Sequence, residues 1–335
     1  MESRREFLKE AATGALLLAA QSKGMLAKGV DAKTDAGKSR VVIARDPALH
    51  SPEGKLDEGR VITLLDRAIT TYTGLNKPAA AWKRVVAMAG GPDKVIGLKT
   101  NGLGGRGIST HSALVFAIAH KLEEAGIKPG NLIIWDRNAR DLQACGFTIS
   151  TEPGRLRCFG SDVSGFEDEQ AVWGTAKVRL SKILTRECAM VIGVPILKDH
   201  IMSGVTFAMK NMYGVVERPQ DLHAGGCNPA VADLNCIPVV RDKVRFTIGD
   251  AMTSVYDGGP TFRPERLWYP NALIVGEDRV AIDSVAWQVI ERKRAEAGMK
   301  TLEAANRPPR YIATAADAAH ALGTNDPGKI QLMEV

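Results

Sequence analysis

Residues 190–236 read MVIGVPILKDHIMSGVTFAMKNMYGVVERPQDLHAGGCNPAVADLNC, and the rest of the chain is organised around them. The apolar run Met190 to Leu197 has the length and β-branched content of a buried strand, and it delivers Lys198, Asp199 and His200 at its end. A helix is expected next: Ser203 is a fair N-cap, Val205, Met209 and Met212 repeat at helical spacing, and Gly214 is a natural stop. On such a helix Thr206, Lys210 and Tyr213 share one face. Two lysines and a histidine are thus expected to converge at one strand end. The loop behind them carries His223, Cys227, Asp233 and Cys236.

Working outward, Arg40 to Ala44, Val95 to Leu98, Leu132 to Trp135, Val244 to Ile248 and Ala272 to Val275 read as further short buried strands. Helical periodicity runs over Gly59 to Leu75, with Leu64, Leu65, Ala68 and Ile69 facing the core. Helices are also expected from Thr110 to Ala125, behind Asp283 to about Arg294, and from Ala315 to Leu322. The stretch 137–178 has weak periodicity and many turn residues, so it reads as an irregular central insertion with short strands. Short apolar strands alternating with helices predict an α/β fold with a mostly parallel sheet flanked by helices. In such sheets ligands bind beyond the carboxyl ends of the strands. Those ends carry Lys99 and Asn101, Asp136, Lys198 and His200, and Asp250, which makes one crevice out of distant segments.

The 335 residues carry a net charge of +6, and only 5% are aromatic. No dense basic stripe interleaved with aromatics is present, so the surplus suits an anionic small molecule rather than nucleic acid. Residues 1–33 read as a targeting segment and linker, with a single domain over 34–335. Ser3-Arg4-Arg5-Glu6-Phe7-Leu8-Lys9 followed by the apolar run Ala11 to Ala20 has the form of a twin-arginine signal. The expected partner is the twin-arginine translocase and the expected location the periplasm, with a membrane anchor if the signal stays uncleaved. Ten apolar residues are too few to span a bilayer. The five cysteines are odd in number and lack C-x-x-C spacing, so no iron–sulfur motif is present, and Cys227 and Cys236 are either bridged or buried thiols.

Several chemistries are open to these residues. Lys198, His200 and Lys210, with His223, either clamp a carboxylate or phosphate or supply a depressed amine that acts as base or nucleophile. Lys99, Asn101, Asp136, Thr206, Asn211 and Asp250 are the expected substrate contacts. His200, His223 and Asp233, with Cys227 or Cys236 as further options, are ligand types for a divalent or transition metal. Asp250, Asp257 and Asp283 are either a hard-cation set or, for Asp283, a helix-start residue. Gly102 to Gly107 spells G-x-G-x-x-G between a strand and a helix, which suits a dinucleotide, a phosphate at Ser109, Thr110 and His111, or an ordinary loop.

Taken together, Lys99-x-Asn101, Pro195-x-x-Lys198-x-His200, Thr206-x-x-x-Lys210-Asn211-x-x-Gly214, His223, Ala232-Asp233-Leu234-Asn235, Gly258-Gly259-Pro260 and Asp278-x-Val280-Ala281-x-Asp283 resemble the DUF362 family. The resemblance covers roughly Val41 to Ile290, with Thr100 standing where the family often has proline. It implies a protein whose activity is not generally established, in a family where some members are fused to or associated with iron–sulfur domains. A redox protein is therefore a second expected partner. The residues themselves favour an enzyme acting on an anionic small molecule, with a non-catalytic binding protein or a redox accessory protein as alternatives.

Overall fold

Thirteen strands occur between Ser39 and Glu334 in the computed structural model, which describes residues 37–335; the expected targeting segment lies outside the described residues. In chain order they are β1 (Ser39–Arg45), β2 (Ile96–Lys99), β3 (Leu132–Asp136), β4 (Arg157–Gly160), β5 (Ala171–Trp173), β6 (Ala176–Val178), β7 (Met190–Gly193), β8 (Ile196–His200), β9 (Gly204–Thr206), β10 (Val244–Val255), β11 (Leu267–Trp268), β12 (Ala272–Gly276) and β13 (Ile330–Glu334). The helices used below are α1 (Glu58–Thr73), α2 (Pro78–Met88), α3 (Ser112–Glu124), α4 (Ala139–Ala144), α5 (Ala230–Cys236), α6 (Arg279–Glu296) and α7 (Tyr311–Ala316). The main sheet runs β13-β1-β12-β10-β7-β2-β3-β4, and within that path only β12 opposes its neighbours. The fold is therefore α/β with a mostly parallel sheet, as expected.

Strand alternation sorts the core into two faces. Ile96, Leu98, Leu132, Ile134, Met190 and Ile192 pack against Leu64, Leu65, Trp82 and Ile118 of α1 to α3. Ile133, Trp135 and Val191 point the other way, onto Met209, Met212 and α5. Nearer the β1 edge, Val41, Ile43 and Ile274 meet Ile282 and Ala286 of α6. Helix α1 is closed at both ends: Asp57 accepts the Arg60 N–H at 3.1 Å, and Gly74 takes the left-handed C-cap conformation. No helix among the described residues is long and apolar enough to cross a membrane.

Three expectations are corrected. The run 190–197 is two strands, broken at Val194 and Pro195, because a proline offers no N–H to a ladder. Beyond the break β8 pairs with the far half of β10, and Lys198, Asp199 and His200 are the last three residues of β8 itself. The helix expected from Ser203 is absent; Gly204–Thr206 turns back as β9 with Lys198 opposite Thr206, and only Lys210–Val215 winds, as a 3₁₀ helix. Gly204 sits at φ +73°, where an added Cβ would lie 2.5 Å from the Arg307 carbonyl oxygen, so the turn into β9 needs glycine. The short strands expected within 137–178 are β4, which joins the main sheet beside β3, and the separate pair β5 and β6. The last helix is α7, four residues earlier than its expected start.

Strand order reverses next to β2. The chain moves from β2 to β3 to β4 in one direction, then places β7 on the opposite side of β2. Lys99 and Gly193 are register partners at that switch point, where open α/β sheets leave a crevice.

Candidate functional site

A cleft of about 150 Å³ opens at the switch point. Lys99, Asn101, Asp136, Lys198, His200, Thr206, Lys210, Asn211 and His223 all line it, so nine of the expected residues come together. Asp250 and Asp233 do not. Arg137, Asp141, Tyr213 and Leu103 also line the cleft. The site-forming role of Arg137 was not anticipated; its signal was its place directly after the strand-end residue Asp136.

The lysines have different surroundings. Lys99 is buried and donates to Asp136 Oδ1 at 2.5 Å and to the Thr100 carbonyl at 2.7 Å. Asp136 also accepts the Arg137 and Gly102 N–H groups, so the ion pair is saturated and ties β2, β3 and the glycine loop together. A Cβ on Gly214 would lie 2.5 Å from Lys99 Nζ, which explains glycine where the 3₁₀ segment crosses this pair. Lys198 donates to Asn101 Oδ1 at 3.1 Å and to the carbonyls of Leu103 and Ile108. Burial pulls this amine down to about 7, with Asp136 opposing the shift.

Lys210 is different. It is 5% exposed and has no carboxylate partner among the described residues. Its Nζ lies 3.9 Å over the Tyr213 ring and 3.5 Å from His223 Nε2. Burial lowers it to about 8, with the Cys227 sulfur opposing. Cys227 itself occupies the left-handed region at φ +67°, following Gly225 and Gly226 in the same region.

The two histidines stack with centroids 5.9 Å apart, and their hydrogen bonds assign their tautomers. His200 Nδ1 accepts the N–H groups of Met202 and Ser203, so the proton sits on Nε2. Burial, then Lys210 and His223, hold His200 down to about 2 and keep it neutral. His223 Nδ1 faces the Pro219 carbonyl at 2.9 Å and must donate to it, which leaves the Nε2 lone pair beside Lys210. Burial and Lys210 lower the His223 pKa as well.

The metal set expected from His200, His223 and Asp233 is not assembled. Asp233 accepts the Thr175 N–H and hydroxyl and pairs with His320 at 2.9 Å. The His200 lone pair is taken by two amides. No group of three or more His, Cys, Asp or Glu with metal-binding geometry occurs among the described residues. His223 Nε2 is the one imidazole nitrogen in the cleft with a lone pair facing it. The five cysteines are free and buried, so Cys227 and Cys236 are not bridged.

Asp250 serves the glycine loop's helix instead of the cleft. Its Oδ2 accepts both the backbone N–H and ring N–H of His111 at the start of α3, placing a built-in carboxylate where a phosphate was expected. With Asp136 also engaged by Gly102, the loop lacks the free acid and free helix end that dinucleotide binding needs. Nor do Asp250, Asp257 and Asp283 form a cation site. Asp257 pairs with Arg294 and Arg307, while buried Asp283 accepts the N–H groups of Ala208 and Met209 and so anchors the turn before Lys210. A second recess, about 330 Å³, is bounded by Met202, Gly226, Arg307 and Arg310. Its Arg307 is already paired with Asp199 and Asp257, and its Arg310 is an exposed surface side chain, so the buried unpaired amine lies in the first cleft.

Three polar atoms of cleft residues are buried without a hydrogen-bond partner: Arg137 Nε, Thr206 Oγ1 and Asn211 Oδ1. Such atoms are rare in folded proteins, and in the cleft they offer hydrogen-bonding capacity to a ligand or to water. With Lys99, Arg137, Lys198 and Lys210 facing only Asp136 and Asp141, the cleft carries surplus positive charge.

These features define an α/β protein with a cationic, histidine-lined cleft at the switch point of its sheet. Residues 96–288, from β2 into α6, match the family described as a domain of unknown function, DUF362, and the chain belongs to that family. None of the curated proteins matches it. Among solved structures it is similar to a Thermotoga maritima protein determined by a structural genomics consortium, at 13% identity and a TM-score of 0.43. The alignment covers 72% of this chain and 59% of the Thermotoga protein.

Proposed function

We propose that this protein is an enzyme that binds an anionic small molecule in the switch-point cleft and acts on it through Lys210 and His223. The observation that carries this is Lys210 itself, a buried amine lacking a carboxylate and facing a histidine lone pair. A buried cation is costly unless an anion offsets it, and here the ligand supplies that anion. Arg137, Thr206 and the His200 Nε2–H offer further donors; Asn211 Oδ1 and His223 Nε2 accept. The cleft volume lies below the roughly 300–1,000 Å³ of pockets for drug-sized ligands, which favours a metabolite of few heavy atoms.

Thermal-shift and calorimetric titration with small carboxylates, phosphate and sulfate tests the binding step. A charged hydrogen bond contributes about 1.5–3 kcal/mol, so Lys210→Met should weaken the best anion roughly 10- to 150-fold while the protein stays folded. Unchanged affinity would place the site elsewhere. A ligand retained and released chemically unchanged would make this a binding protein.

The export reading of residues 1–33 completes the proposal: the enzyme works in the periplasm. Replacing Arg4 and Arg5 together by lysine should leave the protein in the cytoplasmic fraction. Normal export of that double variant would remove the localisation.

A further inference from the structure

The geometry points to a more specific ligand class: we infer that the cleft takes a small carbonyl compound bearing an acidic group, and that Lys210 captures its carbonyl carbon as an imine. This rests on the anion-binding reading above and goes beyond it, because an anion can bind without forming any bond.

The three cleft lysines face different neighbours. Lys99 is held by a carboxylate and a carbonyl. Lys198 is held by three oxygen acceptors. Lys210 instead faces a ring, the Cys227 sulfur and an imidazole nitrogen, so its hydrogens are not fixed on oxygen and one of them points at a base. That base is already in the right tautomer, since His223 Nδ1 is committed to the Pro219 carbonyl. Loss of a proton to His223 Nε2 turns the ammonium into a nucleophile. The site also contains groups suited to the other reactant. The His200 Nε2–H and the Thr206 hydroxyl can donate to the carbonyl oxygen, and Arg137 carries a buried Nε without a partner for an acidic group.

The step balances with the residues present. His223 takes one proton from the Lys210 ammonium. The amine nitrogen forms a bond to the carbonyl carbon, and the π pair moves to oxygen, which is protonated as the nitrogen loses a second proton. His223 then returns its proton to that hydroxyl, the C–O bond breaks, and water leaves. Ammonium and carbonyl have become a protonated imine and water, with no oxidant or external co-reactant.

The experiment incubates the intact protein with pyruvate or glyoxylate and sodium cyanoborohydride, then maps every lysine by peptide mass spectrometry. The expected result is one reduced adduct per chain, concentrated on Lys210 at least tenfold over any exposed lysine. Sulfate should protect Lys210, and His223→Ala should slow its labelling at least tenfold while surface labelling stays unchanged. Adducts spread over exposed lysines without enrichment at Lys210, or enrichment that sulfate and His223→Ala leave untouched, would overturn the inference. Because the enrichment at Lys210 and its protection by sulfate are both read in the wild-type sample, those two readouts do not depend on a variant folding. If sulfate and carboxylates bind but no adduct forms at Lys210, imine chemistry falls and anion binding stands. If neither occurs, both fall.

Discussion

Lys198 and Lys210 look alike in the sequence, each a lysine near a histidine, yet their neighbours give them different work. Lys198 ties β8 to the glycine loop through Asn101, Leu103 and Ile108. Methionine at this position would keep the volume but leave three oxygen acceptors without a donor, at roughly 1–3 kcal/mol for buried groups. Lys198→Met should therefore lower stability to denaturant by about 2 kcal/mol and speed amide exchange across 102–108 relative to the wild type. Loss of anion binding with loop exchange unchanged would instead make Lys198 a direct ligand contact. Residue identity was enough to gather nine of the site residues, because the polar groups that end β2, β3 and β8 and those that follow β9 are brought to one end of the sheet. It was not enough to rank them, since rank depends on partners such as Asn101 and Asp136 that lie tens of residues away. Asp233 and Asp250 show the same limit. Both are buried acids, and only the structure reveals that His320 and His111 engage them.

The elements divide along similar lines. Where one face of one element packs on one core, periodicity is legible: Leu64, Leu65, Ala68 and Ile69 of α1 are all buried, and β2, β3 and β12 fall within a residue or two of their expected spans. The helix expected over 203–214 fails for a definite reason. Val205 packs with α6 in one core, whereas Met209 and Met212 pack with β3 and α5 in another, so their even spacing is not one helical stripe. The hairpin of β8 and β9 wins because Gly204 permits the turn and Val205 and Thr206 suit a strand. Pairing information of that kind is non-local, as it is for β13, a half-exposed edge strand recognisable only through its partner β1. Asp283 belongs to this scale as well: a residue of α6 holds the backbone of residues 208 and 209, and so fixes where Lys210 begins.

At the scale of the whole molecule, the buried titratable groups set how stability changes with pH. His200 is held down to about 2, so an unfolded histidine binds a proton that the folded one does not, and stability rises with pH from about 2 to 6.5. Burial raises Asp199 to about 6 and Asp283 to about 7; the folded carboxyls keep protons the unfolded ones lose, so these two act oppositely between about 4 and 7. Above pH 7 the lysines take over. Lys210, lowered to about 8 against about 10.4 unfolded, sheds its proton in the folded state first, which stabilises the fold as pH rises from 7 to 9 by about 1 kcal/mol. The buried thiols of Cys158, Cys188 and Cys236 are pushed up to between about 11 and 12, and they oppose this rise once unfolded cysteines ionise near 8.5. The absolute trend is thus a near cancellation, and the informative quantity is the difference between the wild type and Lys210→Met. Measured by denaturant unfolding in a buffer without multivalent anions, wild-type stability relative to the variant should increase by about 1 kcal/mol between pH 7 and 9. A difference that stays constant with pH would mean that Lys210 keeps its proton throughout, and a permanently charged Lys210 could hold an anion but not attack a carbonyl. The same titration runs against binding: as stability gained from Lys210 rises with pH, its attraction for an anion falls, because the charge that was costly to bury is the charge the ligand needs.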